Sequence, residues 1–244
     1  MEVKSSNPVM GGFQRVSHSK IGSKTMSIEG TSNKTMLLLL IVVLSGFFSW
    51  NYISPTFIYP SLIGSVILGL ILAIVISFKP LLAKILAPIY AILEGIILGL
   101  FSSFFEVIYP GIVIQAVLLT FGVAFLMNIL YRNEIIKVTQ KFRSVMLLSI
   151  GAIFLTYLIS MILSFFGTTI PLIHDSGPIG IIFSLIVVTI ASLSLLLDFD
   201  LIDRQIQAKA HKDMEWYGAF ALLVTLVWLY LEILKLLSKL RSRD

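Results

Sequence analysis

Seven apolar runs, near residues 34–52, 60–78, 84–105, 111–131, 144–166, 178–197 and 217–237, constrain this chain more than anything else in it. A run of about 20 apolar residues is long enough to cross the roughly 30 Å hydrocarbon layer of a bilayer as a helix. Backbone facing lipid must satisfy its own hydrogen bonds, and no alternating strand pattern appears, so the runs are read as helices. The expected fold is an all-α integral membrane protein, a seven-transmembrane-helix bundle over residues 34–244. Composition agrees, with 57% hydrophobic and only 13% charged residues, where an ordinary globular chain carries about 25% charged. Residues 1–33, rich in Ser, Gly and Lys and without the apolar core of a cleavable signal, read as a disordered cytoplasmic tail.

What the chain lacks narrows its chemistry. It has no cysteine, and His18, His174 and His211 are scattered without ligand spacing, so thiolate sites and the usual zinc patterns are absent. No Gly-x-Ser-x-Gly or His-Glu-x-x-His sequence and no paired Gly-Asp protease signature is present. The expectation is a non-enzymatic protein without a cofactor. The excess of 18 Lys and Arg over 13 Asp and Glu points to cytoplasmic loops and anionic lipid rather than to nucleic acid.

The basic residues also order the crossings. Lys4, Arg15, Lys20, Lys24 and Lys34 precede or open the first run; Lys79 and Lys84 lie before the third, Arg132, Lys137, Lys141 and Arg143 before the fifth, and Arg204, Lys209 and Lys212 before the seventh. The other connections carry none. The positive-inside rule then puts the N-terminus and these three connections in the cytoplasm. The end breaks the alternation, because a seventh full crossing would carry Lys239, Arg241 and Arg243 to the far side. Either the last helix is re-entrant or the rule fails there.

Polar residues inside the runs are the candidate functional groups, since a carboxyl group facing hydrocarbon costs several kcal/mol (~2.5 or more) unless it finds a partner, water or a proton. In the third run Ala91, Gly95, Gly99 and Ser103 recur along one face as a small-residue packing stripe, with Glu94 beside it near mid-membrane and Pro88 as either a kink or a first-turn proline. In the sixth, Ser184, Ala191, Ser194 and Asp198 share a face. Asp200 points about 200° away from Asp198, and Asp200 and Asp203 read first as a solvated helix end. In the seventh, Gly218, Ala221, Thr225, Trp228 and Glu232 share a face. Glu232 has two readings, an inward functional acid or a partner for Lys235 or Lys239. Trp50, Tyr52, Tyr59, Trp216 and Tyr217 sit at run ends as interfacial anchors.

These residues resemble the Bax-inhibitor family, the transmembrane Bax inhibitor motif proteins, in its bacterial branch. The resemblance rests on the seven runs, on Glu94-Gly95 with Leu98-Gly99, on Tyr131 and the basic loop after it, on Leu197-Asp198-Phe199-Asp200, and on Trp228 to Leu237. It implies six helices around or beside a central seventh, with a polar, acidic region on the last helix at the centre. It also implies a pH-sensitive Ca²⁺ leak in which an aspartate ending the sixth helix pairs with one on the seventh. Two close carboxylates share a proton because both cannot ionise cheaply, and Ca²⁺ prefers hard oxygen ligands. The sixth-helix aspartate maps to Asp198 or Asp200, and the shared face favours Asp198. The expected second aspartate falls at Thr225, which cannot take up a charge-changing proton, and no arginine stands inside the first three spans to latch onto the aspartate.

Two functions follow as expectations. One is a pH-sensitive leak or exchanger for a cation, Ca²⁺ foremost, in a bacterial inner membrane. Its ion- or proton-binding steps would be Asp198, Asp200, Glu94, Glu232 and Thr225, with Asp198 as the Ca²⁺ ligand and Ca²⁺ or H⁺ as the partner ion. The other is a non-transporting regulator of membrane-protein quality control that binds a membrane protease or stress-response protein through its N-terminal tail.

Overall fold

The computed structural model describes residues 25–167 and 176–242. The tail up to residue 24, with His18, and also Pro171, His174 and Arg243, lie outside them. Among the described residues the regular elements are helical: α1 (Ile28–Tyr52), α2 (Ile58–Phe78), α3 (Ala83–Ile108), α4 (Ile112–Arg132), α5 (Gln140–Phe165), α6 (Pro178–Gln207) and α7 (Met214–Arg241). All seven are long and apolar enough to cross a membrane, and the chain is an all-helical integral membrane protein.

The helix ends follow local chemistry. α1 starts at Ile28, ahead of the apolar run, because the Ser27 hydroxyl accepts from Gly30 N at 3.0 Å and caps the first turn. Short 3₁₀ turns at Pro55–Phe57 and Pro80–Leu82 lead into α2 and α3, using proline where its missing N–H costs nothing. Pro88 lies inside α3 rather than in its first turn. Gly111, in left-handed backbone at φ 81°, turns the chain into α4. The Glu106 carboxylate reaches across that turn to accept from Gly111 N at 2.6 Å and Val113 N at 3.1 Å, so an acid from the preceding helix does the work of a cap.

α6 runs on past Leu197, where the apolar run stops, through the acidic cluster to Gln207. Its 30 residues span about 45 Å at 1.5 Å per residue. α7 is one unbroken helix of 28 residues, about 42 Å long. In α6 and α7, 44% and 50% of the most apolar window is buried, against 17–33% in the other helices. These two supply the enclosed, polar part of the fold, with α7 the more enclosed.

The chain divides into two compact units. One comprises the residues up to Ser103 together with Asp200–Val224; the other comprises Phe104–Phe199 together with the chain from Thr225. In the first, α1 and α3 touch backbone to backbone. A Cβ at Gly95 would collide with Ser45 and the Val42 carbonyl, and one at Gly99 with Ser49 and the Gly46 carbonyl. The stripe read from the sequence is therefore a contact with α1, where Ser49 Oγ also donates to the Ile96 carbonyl at 3.3 Å. Close approach of this kind lets dispersion hold helices together where lipid competes for apolar surface. The same unit fastens the chain entering α1 onto the α6–α7 connection. Met26 N donates to the Ala210 carbonyl at 2.9 Å, and the Met26 side chain packs in a buried cluster with Ile202, Ala210 and Met214.

In the second unit the end of α7 is fastened by its cations. Lys239 Nζ donates to the Gly180 carbonyl at 3.1 Å and to Ser184 Oγ at 2.8 Å. Arg241 Nη1 donates to the Pro110 carbonyl at 2.8 Å.

Candidate functional site

The face of α6 that carries Ser184, Ala191 and Ser194 is buried, and Asp198 continues it. This face consists of small residues and serines because a facing helix must come close. Thr225, on α7 in the same unit and 9% exposed, places its hydroxyl in hydrogen bond with the Asp198 carboxyl. The second carboxyl oxygen, Oδ2, is buried and has no hydrogen-bond partner among the described residues. Ser194, one turn back, donates to the Ala191 carbonyl of its own helix at 2.7 Å. Asp198 therefore has a hydroxyl on one side and an open valence on the other. An acid in that state can release its proton and attract a cation, or keep its proton and remain neutral.

The other acids named from the sequence are arranged differently. Asp200 accepts from Arg204 Nε at 2.8 Å, one turn along α6, and its side chain is 14% exposed. Arg204 itself is 56% exposed, so the pair stands at a helix end that is open on the arginine side. Glu232 is 2% exposed. It accepts from Tyr157 OH at 2.9 Å and from Lys235 Nζ at 3.0 Å, and the Lys235 ammonium also stands 4.8 Å from the Tyr157 ring centroid. Of its two readings from sequence, the lysine partnership is the geometry observed, and the partner is Lys235. Glu232 follows Thr225 by seven residues along α7, about 10 Å. Glu232 is therefore committed to Lys235 and Tyr157 rather than to Asp198.

Glu94 belongs to the other unit, where it hydrogen-bonds Tyr90 one turn back on α3. Tyr90 is 5% exposed and stacks edge-on against Phe220 with centroids 5.0 Å apart. Gly69 on α2 leaves room there, since a Cβ at that position would lie 3.9 Å from Glu94 Oε1. Among the described residues no three His, Asp or Glu side chains come together to hold a metal ion.

Sequence reasoning missed one buried acid. Glu215, in the first turn of α7, is fully buried. It accepts from Ser27 N and Ser27 Oγ, both at 3.0 Å, and pairs with Lys34 of α1, whose ammonium lies 5.5 Å from the Trp216 ring centroid. Gly30 has no Cβ because the Glu215 carboxylate occupies that place. Two signals for it exist in the sequence, a lysine opening an apolar run and an acid opening another helix, where the helix dipole favours it. They are 181 residues apart, and nothing local joins them.

Against known proteins, the family model described as Bax inhibitor 1 like matches residues 7–242. No curated protein matches the chain.

Proposed function

The chain belongs to the Bax inhibitor 1 like family, and we propose that it is a pH-responsive cation leak with Ca²⁺ as its foremost cargo and Asp198 as its proton sensor. The observation that carries this reading is the buried, unpartnered Oδ2 of Asp198. A carboxyl group inside a spanning helix without a counter-cation is the arrangement expected of ion and proton paths. Deprotonated, it offers Ca²⁺ a hard oxygen ligand; protonated, it offers no charge.

Thr225 suits both states. A hydroxyl donates to a carboxylate and can equally accept from a carboxylic acid, so the pair survives proton exchange. With threonine where the family resemblance leads one to expect an aspartate, the sensor binds one proton rather than sharing one between two acids. The flux should then follow a one-proton titration curve. The proposal assigns no covalent chemistry to the chain. It places the N-terminus and the basic α2–α3, α4–α5 and α6–α7 connections in the cytoplasm of a bacterial inner membrane, on the distribution of Lys and Arg.

The test is Ca²⁺ entry into sealed proteoliposomes that hold a trapped fluorescent indicator, from mildly acidic to mildly alkaline pH, for the wild type and Asp198→Asn. The expected result is a pH-dependent flux that loses its pH dependence in the variant. If intact, folded protein passes no Ca²⁺ at any pH, the leak reading fails. A non-transporting regulator that binds a membrane protease or stress-response partner then takes its place.

A further inference from the structure

α6 carries a second polar side chain, besides Asp198, whose hydrogen-bonding groups are buried and open. Among the described residues, the buried side-chain atoms without a hydrogen-bond partner are Asp198 Oδ2 and both polar atoms of the Gln205 amide, Oε1 and Nε2. Gln205 is 3% exposed. A primary amide can accept two hydrogen bonds and donate two, so burying one with none is costlier than burying an apolar side chain of the same size. The helix end does not need this side chain, because the backbone carbonyl of Gln205 accepts from Ala210 N at 3.0 Å.

Gln205 follows Asp198 by seven residues on one unbroken helix, a rotation of about 700°, close to two full turns, and a rise of about 10 Å. It therefore continues the face of small and polar residues formed by Ser184, Ala191, Ser194 and Asp198. Ile202, between the two, is rotated to one side and packs with Met26, Ala210 and Met214. Beyond Gln205, residues 207–209 are exposed. The amide thus stands along α6 between the open end of the helix and the carboxyl of Asp198.

We propose that Gln205 is a water-holding step on the route by which ions and protons reach Asp198, an inference that rests on the leak reading of that acid. Water satisfies a carbonyl and an amino group alike, and buried waters bond polar groups that lack protein partners. A neutral amide also suits a passage. Its Oε1 offers a cation a hard oxygen ligand without a charge to trap it, as conduction requires sites weak enough to leave. A glutamine kept only for the fold would bond the surrounding protein, as Asp200 bonds Arg204 and Glu232 bonds Lys235.

The chain contains no cysteine, so Gln205→Cys carries the sole thiol and reports whether small cations reach this face. Full-length protein in detergent and chloride-free buffer is exposed to silver ion, a small thiol-binding cation, and the thiol left is counted with a maleimide after unfolding. Leu196→Cys is the control, since Leu196 is 0% exposed and points about 200° round the helix from Asp198. Gln205→Cys should react at least about tenfold faster, because a thiol away from a wetted route is reached only through local opening.

Gln205→Leu, of similar size and without a polar atom, should keep or raise the unfolding midpoint. It should lower Ca²⁺ entry into proteoliposomes by about tenfold, the effect on a barrier of one lost hydrogen bond. The proposal is overturned if folded Gln205→Cys reacts no faster than Leu196→Cys, or if Gln205→Leu conducts as well as a conducting wild type. A reactive Gln205→Cys in a protein whose wild type passes no Ca²⁺ would overturn the leak reading alone and leave the wetted position of Gln205 standing.

Discussion

Asp198 and Glu232 are carboxylic acids in the same compact unit, on neighbouring elements of the same polar region, and their surroundings differ in one decisive respect. Glu232 is 2% exposed and has both a cation and a phenol, in Lys235 and Tyr157. Asp198 has only the Thr225 hydroxyl, with its other oxygen buried and open. A buried carboxylate with a cation and a hydrogen-bond donor is part of the scaffold, because removing either partner leaves it uncompensated. One without a cation is held in place by the packing around it, and in the proposed function it is the group whose charge changes with pH. Glu232 is also the more fully buried residue of the two. What separates them is the presence of a cation within hydrogen-bonding distance.

The largest expected effect tests the scaffold side. Lys235→Ala leaves the Glu232 carboxylate inside with Tyr157 as its remaining partner. Breaking a buried pair costs about 3–5 kcal/mol, and the partial exposure of Lys235 lowers this to about 2 kcal/mol. Thermal or denaturant unfolding in detergent measures it, and adding Glu232→Gln should recover most of the loss. An unchanged midpoint for the single variant would put Glu232 in the same class as Asp198. Tyr157→Phe, which removes one hydrogen bond to the same carboxylate, should cost about 1.5 kcal/mol by the same measurement.

Both acids show how far the sequence reaches. The separation of Asp198 from Asp200 is legible in the helical rotation alone, and the structure gives them different partners, Thr225 and Arg204. The packing stripe through Gly95 and Gly99 is legible for the same reason, since helix periodicity is a local property. Its partner surface, Ser45, Gly46 and Ser49, is not, because choosing which helix meets the stripe requires three-dimensional packing. Lys235 lies three residues from Glu232 and is readable as its partner, whereas Tyr157 comes from 75 residues away. Glu215 with Lys34 and Ser27 went unread for that reason too. The end of α6 shows a different gap. Hydropathy stops at Leu197, but a helix continues wherever its backbone hydrogen bonds can, here supported by the Asp200–Arg204 pair one turn apart.

A smaller effect is expected on the open side. Thr225→Val removes the single hydrogen bond to Asp198 and should cost about 0.6 kcal/mol, the average measured for such bonds between membrane helices. Its larger consequence should be in flux, since the carboxyl then loses the one group that orients it in both protonation states. Thr225→Asp supplies a second carboxyl and should turn the one-proton response into a broader titration in two separated steps. An unchanged single-step response would mean that Asp198 is not the group the pH acts on.

The smallest effect on stability is the most informative. Asp198→Asn preserves the shape of the side chain and keeps an oxygen for Thr225, and it removes a charge that no cation compensates. The midpoint of unfolding should therefore move by less than about 0.5 kcal/mol, in contrast to the loss at Lys235. The same substitution should abolish the pH dependence of Ca²⁺ entry, because asparagine neither gains nor loses a proton in this range. A large loss of stability with unaltered flux would assign Asp198 to the scaffold, together with Glu232, and the distinction between the two acids would collapse. Unaltered stability with a flux that no longer follows pH would show that one unpartnered oxygen separates a structural carboxylate from a sensor.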